Sequence, residues 1–228
     1  MSAKPSQSRS YEEIVRIFVA SGAALIRQTA AVRYRGLVAE GTRLLEPGFI
    51  PPDSPARVLI VSYFPNATDL DGPGTPAYDE LRAHFEAWAD SEAVEDYRLC
   101  HEDWQSNLDR IPFHRKRTRP ILEAVGLSNR DIAWLPFVKV PLPAGSSPGD
   151  EIMDVDIDVL WEQLQLLRPR IVWIQGVGIR ARIEGLVKDR ITDMILPAQS
   201  VSQYDSPAKQ KSEHERISKR LREYLASA

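Results

Sequence analysis

The chain has 228 residues, 43% of them hydrophobic, and its charged residues leave a formal net charge of -3; this suits one domain with a sizeable core and confines any nucleic-acid binding to a local basic patch. The single cysteine, Cys100, excludes an internal disulfide and a four-cysteine metal centre, and the scattered His84, His101, His114 and His214 lack the close spacing of a zinc motif, so no metal or organic cofactor is expected. The polar start MSAKPSQSRS is unlike a signal peptide and no apolar run approaches the roughly 20 residues of a membrane span, so the expectation is a soluble, cytoplasmic, monomeric protein.

Residues 1–10 read as a disordered tail and 11–50 as a helical extension, with Ile14, Phe18, Leu25, Val32 and Leu44 among its apolar positions. Gly22, Gly36 and Gly41 divide it into shorter helices, and Arg27, Arg33, Arg35 and Arg43 read as a solvated face. An α/β domain over residues 51–228 follows. Its first strand is Val58-Leu59-Ile60-Val61, a continuous apolar run of the kind buried on both faces of a parallel sheet. The run hands over to a polar loop holding Pro65, Asn66, Asp69, Asp71, Gly72, Pro73 and Gly74. Such loops, at the carboxyl ends of parallel strands, are where open α/β sheets bind ligands.

Residues 77–100 read as one helix, with Tyr78, Leu81, Phe85 and Trp88 at three- and four-residue steps; the last three suit the core, and Tyr78 lies nearest the loop. The segment HEDWQSNLDRIPFHRKRTRP breaks that pattern and gathers His114, Arg115, Lys116, Arg117 and Arg119 beside Trp104 and Phe113. Cations interleaved with rings suit a nucleic-acid strand, although a solvated charged turn has the same composition. Further strands are expected at 131–138, 171–174 and around 195–204, and helices at 154–167, 179–187 and 208–225. Alternation of strand and helix predicts a parallel sheet. Gly176 and Gly178 make a short glycine turn that no Walker or dinucleotide fingerprint completes.

From about Arg57 to Leu225 these ordered segments resemble the uracil-DNA glycosylase superfamily. The resemblance is carried by VLWEQLQLLRPRIVWIQGVGI, similar to that family's helix, "RP" turn, hydrophobic strand and glycine turn. GLSNRDIAWLPFVKVPLPAG looks like the strand that normally ends in a base-reading asparagine, VSYFPNA sits at the water-activating motif, and LPAQS at the His-Pro-Ser loop. The resemblance implies a three-layer αβα sandwich around a short, mostly parallel four-stranded sheet, and a monofunctional enzyme that flips a nucleotide out of DNA and hydrolyses its N-glycosidic bond. Three family positions depart from the pattern: Phe64 precedes the motif's proline, Pro136 falls near the asparagine, and Leu196 replaces the histidine. Either the activity is lost, leaving a nucleic-acid-binding scaffold, or the pocket is rebuilt for a modified base such as one found in foreign or phage DNA. A small-molecule hydrolase in the same cleft is a more distant alternative.

On the glycosylase reading, Asp69 or Asp71 supplies the carboxylate that stabilises an oxocarbenium-like sugar, and Asn66 positions water or meets the base. Ser62, Tyr63, Phe64, Pro65, Tyr78, Lys139, Gln199, Ser200, Gln203 and Tyr204 would line the substrate pocket, with Tyr63 or Phe64 stacking on the flipped base. His114, Arg115, Lys116, Arg117 and Arg119 would hold single- or double-stranded DNA.

Overall fold

The computed structural model describes residues 9–28, 30–37, 45–63, 76–111, 113–140, 149–196 and 206–227. Four strands, β1 (Val58–Ser62), β2 (Ile132–Pro136), β3 (Val172–Gln175) and β4 (Ile195–Leu196), form one sheet in the order β2-β1-β3-β4. All three ladders are parallel, with Ser62 opposite Pro136 on one side and Gln175 on the other. Every residue of β1 and β3 is buried, which explains why their sequences are continuous apolar runs rather than alternating ones. Helices pack against this sheet in an arrangement consistent with a three-layer α/β sandwich. Among the described residues no helix is long and apolar enough to cross a membrane.

The first helix, α1 (Tyr11–Ile26), starts where the Ser10 hydroxyl accepts a hydrogen bond from the Glu13 amide, and Glu12 and Glu13 sit favourably in its first turn. Its apolar stripe joins the same core as the sheet: Phe18 and Val19 are fully buried, and the Trp88 indole donates to the Val19 carbonyl at 3.0 Å. Residues 30–33 form the one-turn α2 (Ala30–Arg33). Residues 45–50 then run along β2, where Phe49 and Trp134 exchange two antiparallel backbone hydrogen bonds of 2.8 Å. Gly48, at φ +103°, permits this approach, since a Cβ there would lie 2.6 Å from the Trp134 carbonyl oxygen. Helix α1 and residues 45–50 thus pack against the sheet and its helices.

The helix expected over 77–100 is two: α3 (Pro76–Ser91) and α4 (Val94–Asn107). The break falls at Glu92, which takes a left-handed φ of 54° with neither glycine nor proline to announce it. The two helices fold back on one another and bury Leu81, Phe85, Trp88, Tyr97 and Trp104, the aromatic cluster expected of a core. After a short 3-10 turn at Leu108–Arg110, a π-helical turn, His114–Thr118, leads into α5 (Arg119–Glu123). Helix α6 (Asp150–Leu167) ends on a left-handed Arg168 before Pro169, α7 (Arg180–Val187) joins β3 to β4, and α8 (Pro207–Ser227) closes the chain.

Candidate functional site

Because the sheet is parallel, all four strands point their carboxyl ends to the same edge. The chain leaves β1 toward β2 on one side and β3 toward β4 on the other. The strand order therefore reverses between β1 and β3, and a crevice at such a switch point is the ligand position of an open α/β sheet. Tyr63 and Gln175 flank it here.

The geometry there is built by small residues against a large one. Gly176, at φ +142°, bends the chain off β3; a Cβ on it would meet the Tyr63 Cβ at 3.2 Å, and one on Gly178 would meet the Tyr63 hydroxyl at 3.1 Å. The glycine turn thus serves as the seat of the Tyr63 ring, a role with no need of phosphate. Below it, the Trp134 indole donates to the Ser62 hydroxyl at 2.9 Å, and the Gln175 amide nitrogen donates to the Thr118 hydroxyl at 2.9 Å. Gln175 is only 5% exposed, yet its Oε1 has no hydrogen-bond partner.

Two further polar atoms close to this layer are also unpartnered. His114, fully buried against the Trp134 ring, approaches the Asn129 amide oxygen through Nε2 at 2.9 Å, which leaves Nδ1 without a partner. Burial holds this imidazole below its ordinary pKa, the Asn129 hydrogen bond opposing, so the neutral ring carries its proton on Nε2 and Nδ1 is a lone acceptor. The Trp173 indole N–H, on the same sheet face as Gln175, lacks an acceptor. Buried polar groups are almost always satisfied, so these three orphans call for an explanation, as do His84 Nδ1, Asp103 Oδ2, Asp109 Oδ1 and His214 Nε2 elsewhere among the described residues.

Several sequence expectations need correction. The basic segment is a π-helical turn, and its winding splits the cations between two faces. His114 and Arg117 are buried, 0% and 4% exposed, and cannot meet a DNA backbone; Arg115 and Lys116 face solvent. Arg119 is exposed but engaged, donating to Asp109 at 2.9 Å and Glu123 at 2.7 Å. Lys139 does not line a pocket either. It is fully buried, with its ammonium donating to the Pro136 carbonyl at 2.5 Å and the Gln163 amide oxygen at 2.9 Å.

Lys139 belongs to a closed polar network. Its backbone N–H donates to Asp156 at 2.7 Å, the same carboxylate accepts from Arg33 Nε at 2.7 Å and from the Tyr34 hydroxyl, and Gln163 donates to the Pro47 carbonyl at 2.7 Å. Arg33, expected on a solvated face, is therefore a buried partner. Burial lowers the Lys139 pKa from 10.5 to about 7, Asp156 pulling it back up and Arg33 pushing it further down. Burial and the Asp156 carboxylate hold the Tyr34 phenol well above its ordinary range.

Of the remaining expected site residues, Ser62 and Tyr63 stand at the crevice. Tyr78 lies in the first turn of α3, with its side chain outside the described residues. Phe64, Pro65, Asn66, Asp69, Asp71, Gln199, Ser200, Gln203 and Tyr204 also lie outside them. Sequence reasoning did not select Gln175 or Thr118; in the sequence Gln175 follows the strand expected at 171–174, whereas β3 includes it and its pairing with β1 brings it opposite Ser62.

A separate cleft of about 900 Å³ opens at the opposite edge of the sheet, lined by Asp53, His101, Gln105, Asp109, Arg130 and others. Within it Gln105 donates to the Asn129 carbonyl at 3.1 Å and Asp109 pairs with Arg119 at 2.9 Å, while the buried Asp109 Oδ1 has no hydrogen-bond partner among the described residues. Burial pushes His101 down to about 4, so it faces this cleft as a neutral ring. Among the described residues no three His, Cys, Asp or Glu side chains gather into a metal site. No protein-family model matches the chain, and no curated protein matches it.

Proposed function

We propose that this protein is a DNA glycosylase that flips a modified, non-uracil base into the carboxyl-edge crevice and hydrolyses its N-glycosidic bond. The observation that carries the reading is the end of the central strand β1: Ser62 and Tyr63 stand where the strand order reverses, with Gln175 paired to Ser62 and the Tyr63 ring against the glycine turn. A flipped base needs a flat wall and a few fixed hydrogen-bonding groups in a largely apolar site. Tyr63 offers the first, and Ser62 and Gln175 offer the second. Charge stabilisation of the sugar is assigned to Asp69 or Asp71, the carboxylates of the segment that follows β1 in the sequence.

DNA contact in this reading rests on Arg115 and Lys116, the solvent-facing half of the π-helical turn. Their joint replacement by alanine is expected to lower the slope of log affinity against log salt by about 1.4–1.8, since each lost phosphate contact removes roughly 0.7–0.9. The decisive experiment is an abasic-site assay on DNAs carrying uracil, deaminated purines, hydroxymethylated cytosine and glucosylated cytosine, single- and double-stranded. Abasic product from a modified base establishes the chemistry and names the substrate. No product from any of them, with salt-sensitive binding retained, replaces this reading with a non-catalytic DNA-binding one.

A further inference from the structure

The Gln175 side chain is held at one end and free at the other. Its Nε2 donates to Thr118, which the π-helical turn delivers onto the sheet, while Oε1 is buried without a partner. An amide fixed by one hydrogen bond cannot turn its other end away without breaking that bond. The residue stands opposite Ser62 across the ladder and is followed directly by the glycine turn on which Tyr63 rests. Nothing in packing requires glutamine here: a residue of the same length without polar atoms would fill the space and avoid the cost of an unsatisfied acceptor.

We propose that Gln175 reads the flipped base, its Oε1 accepting a hydrogen bond from a base N–H. This rests on the glycosylase reading above and names a recognition group for that site. Specificity follows from the same cost. A ligand N–H relieves the orphaned acceptor, whereas an analogue lacking that hydrogen leaves it buried and unpaired, and sites built this way discriminate strongly. Contact requires a local opening of the layer that covers Gln175, which is 5% exposed. Thr118 is a positioning residue: it meets the amide nitrogen and leaves the oxygen free.

The test compares matched ligands on the full chain. Binding of 1-methylcytosine and 1-methyluracil is measured against their counterparts fully methylated at N4 or N3, which lack the N–H, using wild type, Gln175→Met and Thr118→Val. The expected result is a preference for the N–H form of about tenfold or more in wild type, lost in Gln175→Met and weakened in Thr118→Val. Gln175→Met should melt at or above the wild-type temperature, because it removes an unsatisfied group. Three results overturn the assignment: no preference in wild type, a preference that survives Gln175→Met, or a Gln175→Met variant that melts well below wild type. The last would show that a buried water already satisfies Oε1. The abasic-site assay judges the glycosylase reading separately, so base recognition without excision and excision without Gln175-dependent recognition are told apart.

Discussion

Two buried polar regions of this molecule are built on opposite terms. Around Asp156 the groups close on one another: one carboxylate accepts from Arg33, Tyr34 and the Lys139 amide, and the Lys139 ammonium and the Gln163 amide are both engaged. On the sheet face that carries Trp134, Trp173 and Gln175, the atoms Gln175 Oε1, His114 Nδ1 and Trp173 Nε1 have no hydrogen-bond partner among the described residues. Both regions are equally out of water, so burial does not separate them. Closure does. A closed network fixes where α2, β2 and α6 meet, and an open one keeps hydrogen-bonding capacity that folding has not consumed.

The contrast can be broken most forcefully at Asp156. Asp156→Ala strands two buried donors and the part-buried Arg33 charge, and is expected to cost roughly 3–5 kcal/mol in equilibrium denaturation. A loss below 1 kcal/mol would mean that the network is not closed as described. Lys139 sharpens the same point through pH. Its folded pKa of about 7 lies below the ordinary 10.5, so the unfolded chain holds the proton more tightly between those values. This group's contribution to stability is fully present above 10.5 and is lost as pH falls through about 7. Wild type should therefore gain on the order of 2–3 kcal/mol relative to Lys139→Met between pH 6 and 9. Equal pH profiles for the two proteins would place Lys139 in contact with water.

At the open edge the expected effects on stability are smaller and those on function larger. Gly176→Ala forces a side chain into a φ that only glycine tolerates and presses on Tyr63, costing about 1–3 kcal/mol and reducing base excision. Unchanged thermal melting and activity would remove the glycine turn from the site. Trp134→Phe deletes the donor to Ser62 at a cost of about 0.5–1.5 kcal/mol, read as a shift in the denaturation midpoint.

The strands were legible because burial on both faces writes itself as unbroken apolar runs: Val58–Val61 and Ile171–Ile174 need no periodicity to be recognised. The turn at Glu92 was not, because the left-handed residue there is neither glycine nor asparagine. The basic segment misled for a different reason. Adjacent cations look like one patch in a linear string, but a helical turn sends neighbours to different faces, so His114 and Arg117 went inward while Arg115 and Lys116 stayed out. Lys139 reads as a polar group at a strand end, and only its tertiary partners Asp156 and Gln163, both on α6, show it as core. Gln175 carried no signal either, since its significance lies in a hydrogen bond that is not made.

The antiparallel bridge between Phe49 and Trp134 has a consequence for how the molecule behaves among copies of itself. An open sheet invites strand addition along its margins, and unpaired backbone there is a template for aggregation. On the β2 margin, residues 45–50 already occupy the outward N–H and carbonyl of Trp134, with the Glu46 amide bound to the Lys139 carbonyl at 2.7 Å. On the other margin the described residues give β4 only Ile195 and Leu196, both paired with β3. The first fifty residues act as a selvedge sewn along the fabric of the sheet. A chain cut just before Pro51 would fray there first, and light scattering would be expected to register its self-association before any loss of helical signal.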